Sequence, residues 1–169
     1  GQEINPTLAN LAHIYNDGLM IPDSAIKYYI LADEIKPLSV LDKNDLGLNY
    51  QKLAKSTEKK DNKKAIEYYN LSAQYMHSTG AFSGAITNLL KIIELDPTSP
   101  KAPNIMQQVA FTYENDLLDI ENAKKYYSLL VKNYPSTVVA KQAEYLLNNN
   151  LVGKPAEEVL EFSLKNKIK

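Results

Sequence analysis

The stretch "DIENAKKYYSLLVKNYP", residues 119–135, decides the fold. Ala123 is followed by Tyr127 four residues on, Leu130 three later and Pro135 five after that. The same spacing fits "DSAIKYYILADEIKP" at Ala25, Tyr29, Ala32 and Pro37, and "SGAITNLLKIIELDP" at Ala85, Leu89, Ile92 and Pro97. A small residue followed by large ones at helical spacing is what any packed helix shows. Three such helices, each ended by proline at the same distance, describe a repeat.

Each of these helices is preceded by another. Leu8-x2-Leu11-Ala12-x2-Tyr15 stands before Ala25, Tyr69-x2-Ser72-Ala73-x2-Met76 before Ala85, and Met106-x2-Val109-Ala110-x2-Tyr113 before Ala123. The pattern is a stripe of bulky residues interrupted by a small one that admits a neighbouring helix. Each unit is therefore expected to be two antiparallel helices. The second should end near residues 36, 96 and 134, because proline lacks an N–H and pushes its predecessor out of the helical region. Gly80 closes the turn of "HSTGAFSGA", whereas "YNDGLMIPDSA" and "YENDLLDIENA" each look one residue longer than the pattern.

These features resemble the tetratricopeptide repeat, with its W-x2-L-G-x2-Y first helix, its A-x3-F-x2-A second helix and its closing proline. Leu8, Tyr69 and Met106 stand where tryptophan is usual. The resemblance implies an all-α chain of about nine helices, with antiparallel hairpins stacked into a right-handed solenoid. The repeats are expected over 6–37, 63–97 and 102–135, with a degenerate capping repeat over 137–167, all in one domain spanning 1–169. The cap would open at Ser136 or Thr137, break at Gly153 and resume at Pro155. Glu157, Glu158, Glu161, Lys165 and Lys167 would give its last helix a water-facing side. Residues 38–62 break the alternation. They hold one helix, about 42–58, read as the second half of a repeat whose first half is lost.

From residue 43 on, the chain is similar to short bacterial repeat proteins, mostly of Bacteroidetes, through "AFTYENDLLDIENAKKYYSLLVKNYP" and "GKPAEEVLEF". That likeness implies a periplasmic or cell-envelope setting. The cysteine that usually bears a lipid is absent, and Gly1 in place of methionine marks either a removed N-terminal segment or an added residue. Lipid anchoring of a longer precursor stays open. No apolar run approaches the roughly 18 residues of a membrane span.

The chemistry-bearing residues are sparse. The 169 residues include no cysteine, so disulfide and thiolate chemistry is excluded. All nineteen basic residues are lysine and the net charge is −1. Without the planar fork of arginine or an overall positive field, no nucleic-acid partner is expected. Neither His13 nor His77 has a second ligand residue at metal-binding spacing, so no metal is expected. No cofactor fingerprint or nucleophile elbow occurs, and no enzymatic activity is expected.

What remains is a binding surface. Carried over from the repeat, the concave face would show Asn10 and His13, then Glu67, Asn70, Gln74 and His77, then Asn104, Gln107, Phe111 and Glu114. The set has no lysine and two acids, so a buried carboxylate tail would lack a counter-charge. Its amides match a peptide backbone, which leads to a neutral or mildly basic extended segment with Phe111 as the apolar anchor. A protein or peptide partner is expected on this face. The alternative is a structural accessory subunit of a bacterial envelope complex, packing through its convex or terminal surfaces. Lys59, Lys60, Lys63 and Lys64 sit in a segment, 52–64, with six lysines and two acids. That segment is a candidate docking loop for an acidic surface.

Overall fold

A computed structural model describes residues 4–167, and the reading of Gly1 lies outside them. Among the described residues the chain is all-helical, with nine α-helices and no strand. They are α1 (Ile4–His13), α2 (Pro22–Ile35), α3 (Val40–Thr57), α4 (Asn62–Ser78), α5 (Phe82–Leu95), α6 (Ala102–Phe111), α7 (Ile120–Asn133), α8 (Val138–Asn148) and α9 (Ala156–Lys167). The helices that precede Pro37, Pro97 and Pro135 end at Ile35, Leu95 and Asn133, each within a residue of the expected stop. Four starts are capped by a side-chain oxygen. Ser39, Asp61, Asp119 and Thr137 accept from the backbone N–H three residues on, at 3.0–3.3 Å.

The chain divides into two compact units, Gly1–Pro97 and Thr98–Lys169. In the first, α1, α2 and α3 enclose a core of Ala12, Ala25, Ile26, Tyr29, Ala32, Leu38, Leu46 and Tyr50. Its other half is pinned by a buried polar chain. Gln51 of α3 donates to Asn88 of α5 (2.7 Å), Asn88 donates to Ser72 of α4 (2.7 Å), and Ser72 donates to the carbonyl of Gly47 on α3 (2.6 Å). Gly47 permits the approach, since a Cβ there would lie 3.2 Å from that of Tyr75. In the second unit α6, α7 and α8 bury alanines against one another: Ala102 and Ala110, Ala123, then Ala140 and Ala143.

The joint at 38–62 reads differently in three dimensions. Leu46-Gly47-x2-Tyr50 on α3 has the spacing of a first helix. On α4, Asp61, Ala65 and Tyr68-Tyr69 repeat the offsets of Asp119, Ala123 and Tyr126-Tyr127 on α7. In the fold α4 packs on both α3 and α5, so either pairing is compatible with its place in the chain.

The two long turns have one solution. A π-helical turn extends α1 over Ile14–Gly18, and another extends α6 over Thr112–Asp116. In the ordinary turn after α4, the N–H of Ala81 reaches back five residues to Met76, at 2.8 Å. In the long turns Ile21 reaches back six to Tyr15, and Asp119 six to Tyr113, both at 2.8 Å. The extra residue is thus absorbed as a widened turn. The two hairpins match further: Tyr15 stacks on Tyr28 and Tyr113 on Tyr126, with ring centroids 5.2 Å apart in both.

Ala123 is fully buried where α7 meets its neighbours. Ala123→Leu is expected to overpack this contact and cost about 1–3 kcal/mol, read as a lowered midpoint in thermal denaturation.

Candidate functional site

The second helices carry a recurring clasp. Tyr127 donates to Glu114 Oε2 at 2.7 Å, and Tyr69 donates to Glu58. Tyr29 meets His13 Nδ1 at 3.1 Å and donates to Asp45 at 3.5 Å. In each case a buried second-helix tyrosine keeps its hydroxyl partnered. Burial first, then the adjacent carboxylates, pushes all three phenols above the ordinary tyrosine range.

The π turns place one further residue each. Asn16 lies third in its turn and is buried; its Oδ1 accepts from Asn49 (3.0 Å) and Lys52 (3.1 Å) of α3. Glu114 is third in the other turn and accepts from the backbone N–H of Gly153 at 2.6 Å, beside its bond to Tyr127. Both residues tie their hairpin to a later segment of the same unit. Gly153 suits the role because its φ of +81° is left-handed, and an added Cβ would stand 2.6 Å from Ile120 Cδ1.

The unit of residues 98–169 contains an open groove of about 770 Å³, within the roughly 300–1,000 Å³ of ligand sites. One wall is α6 and its π turn, with Gln107, Phe111 and Glu114. A second is α8, with Val138, Lys141, Gln142 and Tyr145. The third is α9, with Val159, Leu160 and Ser163. This last helix is lightly held. Its Phe162 meets Tyr145 edge-on, with centroids 6.5 Å apart, and Ser163 bonds the Tyr145 hydroxyl at 3.3 Å. No described side chain of α9 is fully buried. Phe111 is 56% exposed, Leu160 61% and Val138 71%.

Of the residues expected on the binding face, Gln107, Phe111 and Glu114 meet in this groove. Asn104 is exposed on α6 and does not line it. Asn10 is exposed on α1, while His13 is half-buried, with its Nε2 2.9 Å from Asp42 and its Nδ1 3.8 Å from Asp45. Glu67, Asn70 and Gln74 form an exposed stripe on α4, and half-buried His77 packs edge-on against Phe82, centroids 5.1 Å apart. Lys59 and Lys60 lie exposed in the α3–α4 turn; Lys63 and Lys64 are exposed in the first turn of α4, with Lys64 Nζ 5.6 Å from the Tyr68 ring centre. Val138, Lys141, Tyr145 and Leu160 escaped the sequence reading, although Val138, Lys141 and Tyr145 fall at helical spacing along one stripe.

Among the described residues no group of three or more His, Cys, Asp or Glu side chains is arranged to hold a metal ion. No helix among them is long and apolar enough to cross a membrane.

The raised phenols set a pH dependence. A folded-state pKa above the unfolded one adds stability that is complete below the unfolded value and is lost as pH rises past it. The urea midpoint should therefore hold steady through neutral pH and fall above about pH 10, where unfolded-state tyrosines ionise. Tyr127→Phe should flatten that fall for the unit of residues 98–169, followed by the circular dichroism of urea melts at stepped pH. An unchanged alkaline slope would show that the Tyr127 clasp does not contribute.

No protein-family model matches the chain, and no curated protein matches it.

Proposed function

We propose that the chain is a protein-interaction module of tetratricopeptide type, not a catalyst. Within each unit its hairpins stack in a right-handed sense, and the groove of residues 98–169 holds a segment of a partner protein. The observation that carries this reading is Phe111. Fully burying a phenylalanine stabilises by roughly 1.5–3 kcal/mol, yet more than half of this one faces solvent. It shares an open groove with Val138 and Leu160, which are also exposed. Convergent exposed apolar side chains of this kind mark recognition surfaces. Two of the polar groups nearby are already engaged: Glu114 by Tyr127 and Gly153, Ser163 by Tyr145. They support orientation of a ligand more than chemistry on it.

A second observation favours the accessory-subunit reading. In the α1–α2 turn Ile14, Leu19, Met20 and Ile21 are all exposed, Met20 at 77%. A terminal apolar turn of this kind is suited to permanent packing within a larger complex, and a bacterial envelope complex is the setting we propose for it.

Peptides selected from a random display library on the immobilised full chain separate the two. Phe111→Ala is expected to weaken their binding by about 1 kcal/mol or more while the helical circular dichroism stays unchanged, and Val138→Asp should abolish it. Binders indifferent to both substitutions, and lost instead with Leu19→Ser and Met20→Ser, would overturn the groove reading in favour of the second.

A further inference from the structure

Phe111 has a counterpart that finds its partners within the chain. His13 follows buried Ala12 as Phe111 follows buried Ala110, and each is the last residue before its π turn. From Ala12 to Pro37 and from Ala110 to Pro135, Tyr15 coincides with Tyr113, Ala25 with Ala123, Tyr28 with Tyr126 and Tyr29 with Tyr127, as do the closing prolines, while Ala32 meets Leu130 and Lys36 meets Tyr134. In the first unit the next helix, α3, covers this position with Asp42 and Asp45, and the chain satisfies itself. A histidine there shows that the fold does not need an apolar residue at this point. In the second unit the same position holds an aromatic ring facing α8 and α9 across an open groove.

The walls say what kind of occupant the groove suits. α6, α8 and α9 present helical backbone, whose N–H and C=O groups are bonded within each helix. An extended segment would bring its own unpaired N–H and C=O groups into an apolar groove that has few partners for them. The amide of Asn115 already donates to the Phe111 carbonyl at 3.2 Å, leaving Gln107 and Gln142 as the amides on hand. A helix carries its backbone bonds with it and presents only side chains. The charges are equally selective. Both oxygens of Glu114 are engaged, and Lys154 has Glu158 at 3.2 Å. Lys141, exposed at the edge, has no ion pair among the described residues.

We infer, building on the groove reading above, that the occupant is an amphipathic α-helix of a partner protein. Its apolar face enters among Phe111, Val138, Tyr145 and Leu160, and its flank sets a carboxylate against Lys141. This departs from the neutral or mildly basic extended segment that the amide-rich stripe alone leads to. The difference comes from α8 and α9, which add the lysine and the apolar walls.

Three labelled synthetic peptides test the inference by fluorescence anisotropy against the full chain. All share one stripe of Leu and Phe at i, i+3, i+4 and i+7. One has glutamate flanks, one has lysine flanks, and one has glutamate flanks with a central proline. The net charge of −1 gives no general attraction for the acidic peptides. The glutamate peptide should bind about tenfold tighter than the lysine peptide at low salt, with the gap narrowing as salt rises. Lys141→Glu should reverse the order, with Lys141→Gln as the variant that only removes the charge if the reversal unfolds α8. The proline peptide should lose binding, and Phe111→Ala should weaken both helical peptides. Equal affinity for the glutamate and lysine peptides, both still sensitive to Phe111→Ala, overturns the acidic flank and leaves the groove reading standing. A proline peptide that binds as well as its helical parent overturns the helix. Absence of binding, or binding indifferent to Phe111→Ala, overturns the groove reading and this inference with it.

Discussion

Close approach of paired helices at small residues is the constraint on which each unit depends. Two helices can pack at short range only where one offers little beyond its Cβ. The chain meets this with alanine or glycine in nearly every helix. Ala12, Ala25, Ala65, Ala85, Ala110 and Ala123 are at most 1% exposed, and Gly47 does the same for α3 against α4. Larger residues then fill the spaces beside these contacts, and the buried tyrosines result from that geometry. Their rings reach the interior, and their hydroxyls emerge where a first-helix or flanking acceptor stands. Backbone approach comes first and the clasps depend on it.

The one-residue insertions show how such a frame tolerates irregularity. An extra residue in a tight turn could push the second helix out of register. Here it is taken up inside the helix as a π turn, and Ala25 and Ala123 keep their places in the core. The closure demands a left-handed residue in each turn, Met20 at φ 54° and Leu118 at φ 53°. For a side chain of that size this conformation costs roughly 1–2 kcal/mol, where Gly80 adopts it freely after α4. The return is positional. The widened turn points Asn16 and Glu114 inward, and each reaches a later segment of its own unit. Irregular helix is therefore the part of each hairpin that makes its longest-range polar bonds.

How much of this was legible depended on whether the controlling contact lies within one element. Helix ends did, because proline and a capping hydroxyl or carboxylate act on their own backbone. Ile35, Leu95, Asn133 and the Thr137 cap could all be read from the chain. The extra residue in two turns was countable, but its conversion into a π turn was not, since that depends on which partner the freed N–H finds. The α3–α4 pairing was signalled by Leu46-Gly47-x2-Tyr50 and by Asp61 with Ala65 and Tyr69. It was obscured because α4 also fits as first helix to α5. For the groove, Gln107, Phe111 and Glu114 lie on a regular stripe and were found. Val138, Lys141, Tyr145 and Leu160 were missed because residues 137–167 read as a water-facing cap. In the sequence alone solvent exposure accounts for these residues, and only side chains in space bring them to the wall of the groove.

The pairing of His13 with Phe111 carries that distinction furthest. One hairpin frame accepts a polar residue at this position when the following helix supplies carboxylates, and the region closes on itself. With phenylalanine, and with Val138 and Lys141 on the following helix, the corresponding position of the second unit opens onto the groove. It leaves apolar area in water that α9, touching mainly through Tyr145, does not cover. The opening is lined by exposed apolar side chains with Lys141 at its edge, and it is this combination that the proposed helical occupant would cover.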